Sequence, residues 1–206
     1  NVINQKYIGI VTLCNLIKVK PIDVAQINEK VEELNNRNLL MYKNIIGEKQ
    51  NVSIEYLIEK NKSCDNKLVI TNRMSQQEIE SIYDNNMIES HYTLNGEHSI
   101  AKRNIEEVLN MLDIESTDIN KKCGIILSLS EKEISSENIN LIKSMEEKMN
   151  YISNNLSPKV CLSLIKDGLD ITTESLDVVI EQINQKIETL KINNLNDNIV
   201  NSDQLY

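Results

Sequence analysis

Residues 122–168 read KCGIILSLSEKEISSENINLIKSMEEKMNYISNNLSPKVCLSLIKDG, and this stretch decides the predicted fold. Apolar and polar residues alternate over 123–130, which predicts a half-buried strand. A helix follows from the serine pair at 135–136, because its apolar residues recur at helical spacing: Ile139, Ile142, Met145, Met149, Ile152 and Leu156. Pro158 ends this helix, and residues 159–166 predict a second strand.

The residues before this stretch predict further strands and helices. Ser75 and Glu78 form a capping-box pattern, which satisfies unpaired backbone amides at the start of a helix. Alternating or continuous apolar residues elsewhere predict strands, and apolar residues at helical spacing predict helices. The strands are predicted at 7–19, 52–59, 67–72 and 87–94, and the helices after Pro21, from Ser75 and from about Ser99.

The order of the predicted elements indicates an α+β fold. Residues 22–95 run helix, strand, strand, helix, strand, and residues 99–166 repeat this order if 115–120 forms a short strand. Strands joined by hairpins and helical crossovers, with helices on one face, are typical of ferredoxin-like two-layer sandwich modules. We therefore predict one such module, or two in tandem.

The predicted domains follow from this repeat. Residues 1–96 form an α/β module with an N-terminal strand, and residues 97–192 form a second α/β module that ends in an amphipathic helix. Asn, Asp and Ser dominate residues 193–206, which predicts a polar and frayed tail.

The last predicted helix has the pattern most typical of a partner-binding element. Its apolar residues are spaced 4-3-4-3 along one seam: Leu176, Ile180, Ile183, Ile187 and Leu190. Such a seam is typical of a coiled coil or of a helix that lies in a partner's groove. The same seam would also form if the helix packed on its own sheet, and both interpretations stay open. We take these residues as the predicted partner-binding site.

The composition disfavours nucleic-acid binding. The 206 residues include neither Trp nor Phe, and the aromatic residues are seven Tyr. Proteins that bind single strands stack bases on aromatic side chains, and phosphate backbones are bound mainly by Lys and Arg. This chain instead has a net charge of −9, which predicts an acidic, self-repelling surface. Its hydrophobic content of 40% is enough for a core.

No motif in the sequence predicts catalysis, a cofactor or a metal. The five Gly form neither the G-x-G-x-x-G nor the G-x-x-x-x-G-K loop that binds nucleotides. His91, Glu97 and His98 form a His-centred cluster, but their spacing matches no established set of metal ligands. Adjacent carboxylates such as Glu146 and Glu147 point about 100° apart on a helix, which is typical of a solvated face. We therefore predict that the chain is not an enzyme.

The cysteines and the apolar runs do not identify the cellular compartment of the protein. The four cysteines form no CxxC pair, which argues against a zinc cluster: Cys14, Cys64, Cys123 and Cys161. Those in apolar runs, such as Cys123 and Cys161, are expected to be buried as small hydrophobes, and disulfides stay an open alternative. No apolar run approaches the about 18 to 20 residues that span a bilayer. No transmembrane segment is therefore predicted, and an anchor preceding Asn1 stays open.

Two short segments of residues 122–168 resemble a known motif. Ile134-Ser135-Ser136-Glu137 has the place of a helix start, and Leu156-Ser157-Pro158 has the place of a turn before a final strand. In this order the stretch resembles the ring-building motif of the lipoprotein and flagellar ring subunits of type III secretion systems. That resemblance implies an extracytoplasmic, membrane-proximal protein that assembles into rings. The order of elements is also similar to that of secreted TATA-binding-like proteins of spore-forming bacteria, but topology alone does not imply a function.

The sequence therefore predicts a non-catalytic protein–protein interaction or assembly module in a bacterial envelope-associated complex. It would bind a protein partner or a second copy of itself, without nucleic acid, cofactor or metal. Two alternatives stay open: a secreted TATA-binding-like protein of unknown role in a spore former, and a small-ligand-binding or enzyme domain whose site is built from distant residues. A deep pocket lined by polar side chains would favour the ligand alternative, whereas a flat sheet face or an exposed helix seam would favour assembly.

Overall fold

The structure is a computed structural model that describes residues 21–48, 51–64, 67–85 and 88–203. Side chains are described within these ranges from residue 23 to residue 189. The strand predicted at 7–19 lies outside the described residues.

The described residues form helices and one small sheet. The helices are α1 Pro21–Asn35, α2 Ile54–Lys62, α3 Gln76–Asn85, α4 Ile105–Met111, α5 Asp118–Leu129, α6 Ser136–Asn155, α7 Pro158–Lys166 and α8 Leu176–Asp203, with a 3-10 helix at Leu39–Asn44. The strands are β1 Ser90–Leu94, β2 Glu97–Ala101 and β3 Glu133–Ile134. This mixture of helices and sheet confirms the predicted α+β class. No helix among the described residues has both the length and the apolar character needed to cross a membrane.

The three strands form one sheet in the order β2-β1-β3. β1 and β2 are antiparallel, with Leu94 opposite Glu97, and β3 lies parallel to β1 on its other side. Asn95 and Gly96 connect β1 to β2, with φ angles of 53° and 83°. Positive φ at both residues is typical of a type I′ turn, which favours Asn-Gly because its twist matches that of the flanking strands. The strand predicted at 87–94 is therefore confirmed over Ser90–Leu94, where β1 ends before this turn.

The described residues divide into two compact units. The first unit comprises 21–32, 51–56 and 148–203. The second unit comprises 33–48, 57–64, 67–85 and 88–147.

These units differ from the predicted domains 1–96 and 97–192. The predicted boundary falls at the turn between β1 and β2, which are two paired strands of the second unit. Helix α8 continues to Asp203, so the predicted polar tail at 193–206 is helical as far as that residue. The last three residues, 204–206, lie outside the described part of the chain.

The core of the first unit is formed by one face of α1, the end of α6, and α7 with the first turns of α8. Its buried apolar residues include Val24, Ile27, Ile54, Met149, Ile152, Val160, Leu164, Ile171, Leu176, Val179 and Ile183. Two backbone hydrogen bonds hold the segment 51–56 to the residues around the start of α8. The Leu176 amide donates to the Val52 carbonyl at 2.9 Å, and the Glu55 amide donates to the Thr172 carbonyl at 3.0 Å.

The core of the second unit lies between the sheet and helices α3, α4 and α5. Its buried apolar residues include Leu39, Met41, Leu57, Ile70, Ile79, Tyr92, Val108, Leu109, Ile125, Ile126, Leu127, Ile134 and Ile142. Gly124 lets α4 and α5 approach closely, because a Cβ atom there would lie only 2.7 Å from Cδ1 of Ile105. Helix α5 therefore packs against α4 through its glycine.

Several predicted helices are confirmed. The stripe after Pro21 lies on α1, where Val24, Val31 and Leu34 are buried. Before α3, the Ser75 amide donates to Glu78 at 2.7 Å, and the Glu78 amide donates to the Ser75 hydroxyl at 3.3 Å, which forms the predicted capping box. Helix α6 begins at Ser136, as expected from its serine pair.

Three predicted strands are wrong, because the structure forms helices there. Residues 52–59 contain the start of α2, residues 123–130 lie mostly in α5, and residues 159–166 lie in α7. No strand is present at 67–72 among its described residues, and the short strand at 115–120 is replaced by the start of α5. The helix predicted from Ser99 instead begins at Ile105, after β2.

Helix caps and all-round burial explain these differences. The Thr117 hydroxyl accepts a hydrogen bond from the Asn120 amide at 3.2 Å, which caps α5. The residues of α5 from Cys123 to Ser128 are all buried, so an apolar run marks this helix as it would mark a buried strand. The Ser157 hydroxyl caps α7, and Pro158 occupies its first turn. Proline is favoured at that position because its missing amide has no partner there, so it starts a helix here.

The observed order over 122–168 is therefore α5, β3, α6 and α7. The resemblance to the ring-building motif implied a strand, a helix and a final strand over the same residues. The ferredoxin-like arrangement is likewise not confirmed, because the one sheet among the described residues has three strands.

Candidate interaction surface

The β1–β2 hairpin presents two different faces. Ser90 and Tyr92 point into the second unit and are buried, at 0% and 3% exposure. Thr93, His98 and Ile100 lie on the opposite face and are exposed. Ile100 is 53% exposed, which is unusual for a large apolar side chain. The outer face of the hairpin therefore carries an apolar side chain in contact with solvent.

One edge of the hairpin is formed by β2, which pairs with β1 and with no second strand among the described residues. Residues of an antiparallel pair alternate between those that exchange backbone hydrogen bonds and those whose amide and carbonyl point outward. Because Leu94 and Glu97 close a two-residue turn, they form a hydrogen-bonded pair. His98 and Ile100 are then the residues whose backbone amides and carbonyls point to the open edge. This edge is a ready template for another strand.

A buried network of hydroxyl groups supports the hairpin from its inner side. The Tyr83 hydroxyl donates to the Arg103 carbonyl at 2.7 Å and lies 2.7 Å from the Ser90 hydroxyl. Ser90 in turn lies 3.1 Å from the Ser128 hydroxyl, which donates to the Gly124 carbonyl at 3.0 Å. Burial raises the pKa of Tyr83 above its ordinary value, so this hydroxyl stays a donor at neutral pH. The network fixes the hairpin against α3 and α5.

The two histidines of the chain lie on the outer face of this hairpin. The ring centroids of His91 and His98 are 5.9 Å apart. Glu97 precedes His98 in β2, so its side chain leaves the sheet on the opposite face. Glu133 of β3 is paired with His91 in the sheet. Among the described residues, no group of three or more His, Cys, Asp or Glu is placed to hold a metal ion.

The predicted partner-binding seam lies on the first part of α8. Leu176 and Ile183 are buried in the chain itself, at 1% and 0% exposure. Ile180 and Ile187 are half-buried, and the side chain of Leu190 lies outside the described residues. Two of the five seam residues therefore contribute to the core of the first unit, and their surfaces are already covered.

The second unit also contains a buried ion pair that sequence analysis missed. Arg37 is 1% exposed, and its Nε and Nη2 donate to Oε1 of Glu146 at 3.1 and 2.6 Å. The Tyr42 hydroxyl donates to the same carboxylate oxygen. Burial, followed by the charge of Glu146, raises the pKa of Tyr42 well above its ordinary value. The interpretation of Glu146 as part of a solvated helix face is therefore wrong, whereas Glu147 is exposed.

The surroundings of Cys123 disfavour the thiolate form of its side chain. Burial, and next the charge of Glu146, raises the pKa of its thiol to about 12. The thiolate is the form that attacks other groups, so a thiol with this pKa is a poor nucleophile at neutral pH. Cys123 and Cys161 are both buried, as the sequence predicted.

An open cleft in the first unit is a candidate site for a small ligand. Its volume is about 330 Å³, and polar residues of α1 and of the loop before α8 line it, among them Asp23, Gln26, Lys30, Asp170 and Thr172. Lys30 Nζ is 3.3 Å from a carboxylate oxygen of Glu55. Burial alone would raise the pKa of Asp170, but hydrogen bonds from Thr173 and Thr172 hold it below its ordinary value. Lys30 and Asp170 already have partners within the chain, because the amide and the hydroxyl of Thr172 both donate to the Asp170 carboxylate at 3.0 Å. These hydrogen bonds stabilise the loop before α8.

Residues 4–204 match the model of a family of unknown function, DUF6240. The chain belongs to the DUF6240 family. Neither a curated protein nor a solved structure matches the chain. Its function is therefore argued from the surfaces described above.

No sequence motif in this DUF6240 chain identifies β2 as an edge strand. An edge strand is recognised from its neighbours in the sheet, and the sequence analysis placed a helix from about Ser99, within β2. The signal that could have found it is the Asn95–Gly96 turn, because strong hairpin turns predict a second strand directly after them. His98 and Ile100 then alternate with Ser99 and Ala101, as in a strand with two different faces.

Proposed function

We propose that this DUF6240 chain is a non-catalytic protein–protein interaction module, and that the β2 edge is its contact surface. The observation that supports the proposal is the edge of β2, which no second strand of the described residues pairs, with the backbone groups of His98 and Ile100 directed outward. Ile100 lies beside these groups and is 53% exposed. Strand addition at such an edge draws its affinity from main-chain hydrogen bonds and its specificity from side chains at alternate positions.

The support beneath the hairpin favours a binding role for this edge. Tyr83 holds the segment after β2 through the Arg103 carbonyl, and Ser90 anchors β1. A strand fixed in this way needs little ordering when it binds, and a rigid surface loses less entropy on association. The hairpin is thus prepared to accept a further strand.

The non-catalytic part of the proposal is supported by how the polar groups of the described residues are used. Glu146 pairs with Arg37, Asp170 accepts hydrogen bonds from its own loop, and the pKa of Cys123 is raised to about 12. Catalytic sites usually combine a nucleophile with a base that is oriented by a third group. An envelope-associated complex remains a prediction from the ring resemblance alone.

A capture experiment with matched variants tests the proposal. Wild-type protein, Ile100→Glu and Ile119→Glu would be immobilised and exposed to an extract of cells that make the protein, followed by quantitative mass spectrometry. Ile119 is 60% exposed on α5 and gives a control with the same substitution away from β2. We expect Ile100→Glu to reduce capture of specific proteins by about tenfold, whereas Ile119→Glu leaves it unchanged. Equal capture by all three proteins would contradict the proposal.

A further inference from the structure

We infer that the partner of the β2 edge is a second copy of this chain, paired antiparallel about a two-fold axis at Ile100. This inference rests on the proposed function, and it names the occupant of the same surface. Strand β2 would then lie beside β2 of the second copy, and the two sheets would form one continuous sheet across the axis.

The alternation of the ladder limits the registers that two β2 strands can adopt. Outward-pointing residues must face outward-pointing residues, so the axis can pass through His98, Ser99 or Ile100. An axis at His98 would place Gly96 opposite Ile100, and Gly96 belongs to the turn at which the chain reverses direction between β1 and β2. The choice therefore lies between Ser99 and Ile100.

Charge complementarity selects the axis at Ile100. With this axis, and with the chain extended past the end of β2 at Ala101, Glu97 of one copy lies opposite Arg103 of the second copy, and symmetry repeats the pair. With the axis at Ser99, Glu97 would instead lie opposite Ala101. Opposite charges directly across two strands are stabilising, and like charges are destabilising. Neither Glu97 nor Arg103 forms an ion pair within the described part of the chain.

Arg103 lies two residues beyond the end of β2 at Ala101. Glu97, Ser99 and Ala101 are paired with β1, and the next odd-numbered residue along the chain is Arg103. Its carbonyl also points inward, because it accepts the hydrogen bond from Tyr83. The Arg103 backbone is thus fixed just beyond the end of β2, and its side chain is exposed.

The side chains on the outer face fit the same axis. Ile100 of one copy would lie directly opposite Ile100 of the other, so two exposed apolar side chains would cover each other. The pairing is isologous and uses the open edge of both copies, which gives a closed dimer. The remaining strand at the sheet's other side, β3, has only two residues, so it offers little for further pairing.

Light scattering with charge-swap variants tests this inference on the full chain. Wild-type protein would be measured from micromolar to near-millimolar concentration, and we expect twice the chain mass of 23.6 kDa at the upper end. Glu97→Arg and Arg103→Glu should each raise the dissociation constant by about tenfold, because each puts like charges opposite one another. The double variant restores opposite charges and should return close to the wild-type value. Ile119→Glu serves as the matched control and should associate like the wild type.

A proline variant separates this inference from the proposed function. Ile100→Pro removes an outward amide without removing a hydrogen bond to β1, and proline is tolerated on edge strands. A monomeric wild type at every concentration overturns the second copy as partner; if Ile100→Pro still reduces capture of another protein, the proposed function stands. If capture is also unaffected, both fail. If the wild type forms a dimer and neither charge swap raises its dissociation constant, the register is overturned, whatever the result for Ile100→Pro.

Discussion

At the scale of a single residue, Arg37 is a buried charge that this fold pairs with a counter-ion. Its guanidinium is almost fully buried, and Glu146 and the Leu34 carbonyl accept its hydrogen bonds. An ion pair in this setting gains little over an apolar pair of the same shape, but loss of one partner leaves an unpaired buried charge. The residues of the pair are far apart in the sequence, and no local pattern connects them. Sequence analysis therefore could not predict it.

Glu146→Gln is expected to destabilise the protein. The amide has nearly the shape of the carboxylate, but it leaves the buried charge of Arg37 without a counter-ion. We expect a loss of about 3 kcal/mol in the free energy of unfolding, measured by urea denaturation. Glu147→Gln, at the exposed next position of α6, is the control and should change the stability by less than about 0.5 kcal/mol. A similar effect of both substitutions would contradict the role of the pair.

Cys123 should be protected from alkylation until the protein unfolds. Its pKa is raised from 9.0 to about 12, so the folded state favours the protonated thiol. The resulting stability is fully present below pH 9 and is lost as the pH rises towards about 12. We expect iodoacetamide at pH 8 to leave Cys123 unmodified in buffer and to modify it in urea, as shown by peptide mass spectrometry. Rapid modification in buffer would show that the thiol is accessible.

At the scale of elements, caps and turns explain where the structure follows the sequence and where it departs from it. The capping box before α3 and the end of the strand before the Asn95–Gly96 turn could be predicted from the sequence, because each depends on neighbouring residues. Helices α5 and α7 were predicted as strands, because alternating or continuous apolar residues over such short segments do not distinguish a strand from a buried helix. The caps at Thr117 and Ser157 would have corrected both predictions. The edge position of β2 depends on the neighbours of the strand in space, which no local pattern reveals.

Gly96→Ala should destabilise the hairpin through its backbone alone. Gly96 has a φ of 83°, which side chains with a Cβ rarely adopt, and no atom lies within 4 Å of an added Cβ. We expect a loss of about 1 kcal/mol, seen as a lower midpoint in urea denaturation. Asn95→Gly should be tolerated, because glycine also adopts positive φ. An unchanged midpoint in Gly96→Ala would show that the turn is not held in this conformation.

At the scale of the whole molecule, burial decides which apolar residues can bind a partner, because residues in the core are already covered by the chain itself. Ile183 belongs to the seam predicted to bind a partner, yet it is fully buried, whereas Ile100 lies outside that seam and is half exposed. The α+β class and several helices could be predicted, because they depend on composition and local periodicity. The two compact units could not, since each combines segments from distant parts of the chain.

Ile183→Asp tests the assignment of this part of α8 to the core. A carboxylate at this position would be buried without a partner, so we expect a loss of about 4 kcal/mol or more in the free energy of unfolding. Ile187→Asp lies one turn later at a half-buried position and should cost clearly less. Thermal unfolding followed by circular dichroism would compare the two variants with the wild type. If the Ile183→Asp protein is stable but no longer binds a partner, the assignment to the core is wrong and the seam is a contact surface.

The most direct test of the account is the hydrogen-exchange rate of individual amides in β2, measured at low and at high protein concentration. If the edge is open in the monomer and pairs with a second copy, the amides of His98 and Ile100 exchange rapidly in dilute protein and slow down as the concentration rises. The Ser99 amide, which bonds to β1, should be protected at both concentrations. Exchange rates of the His98 and Ile100 amides that do not change with protein concentration, whether slow or rapid, would contradict the account.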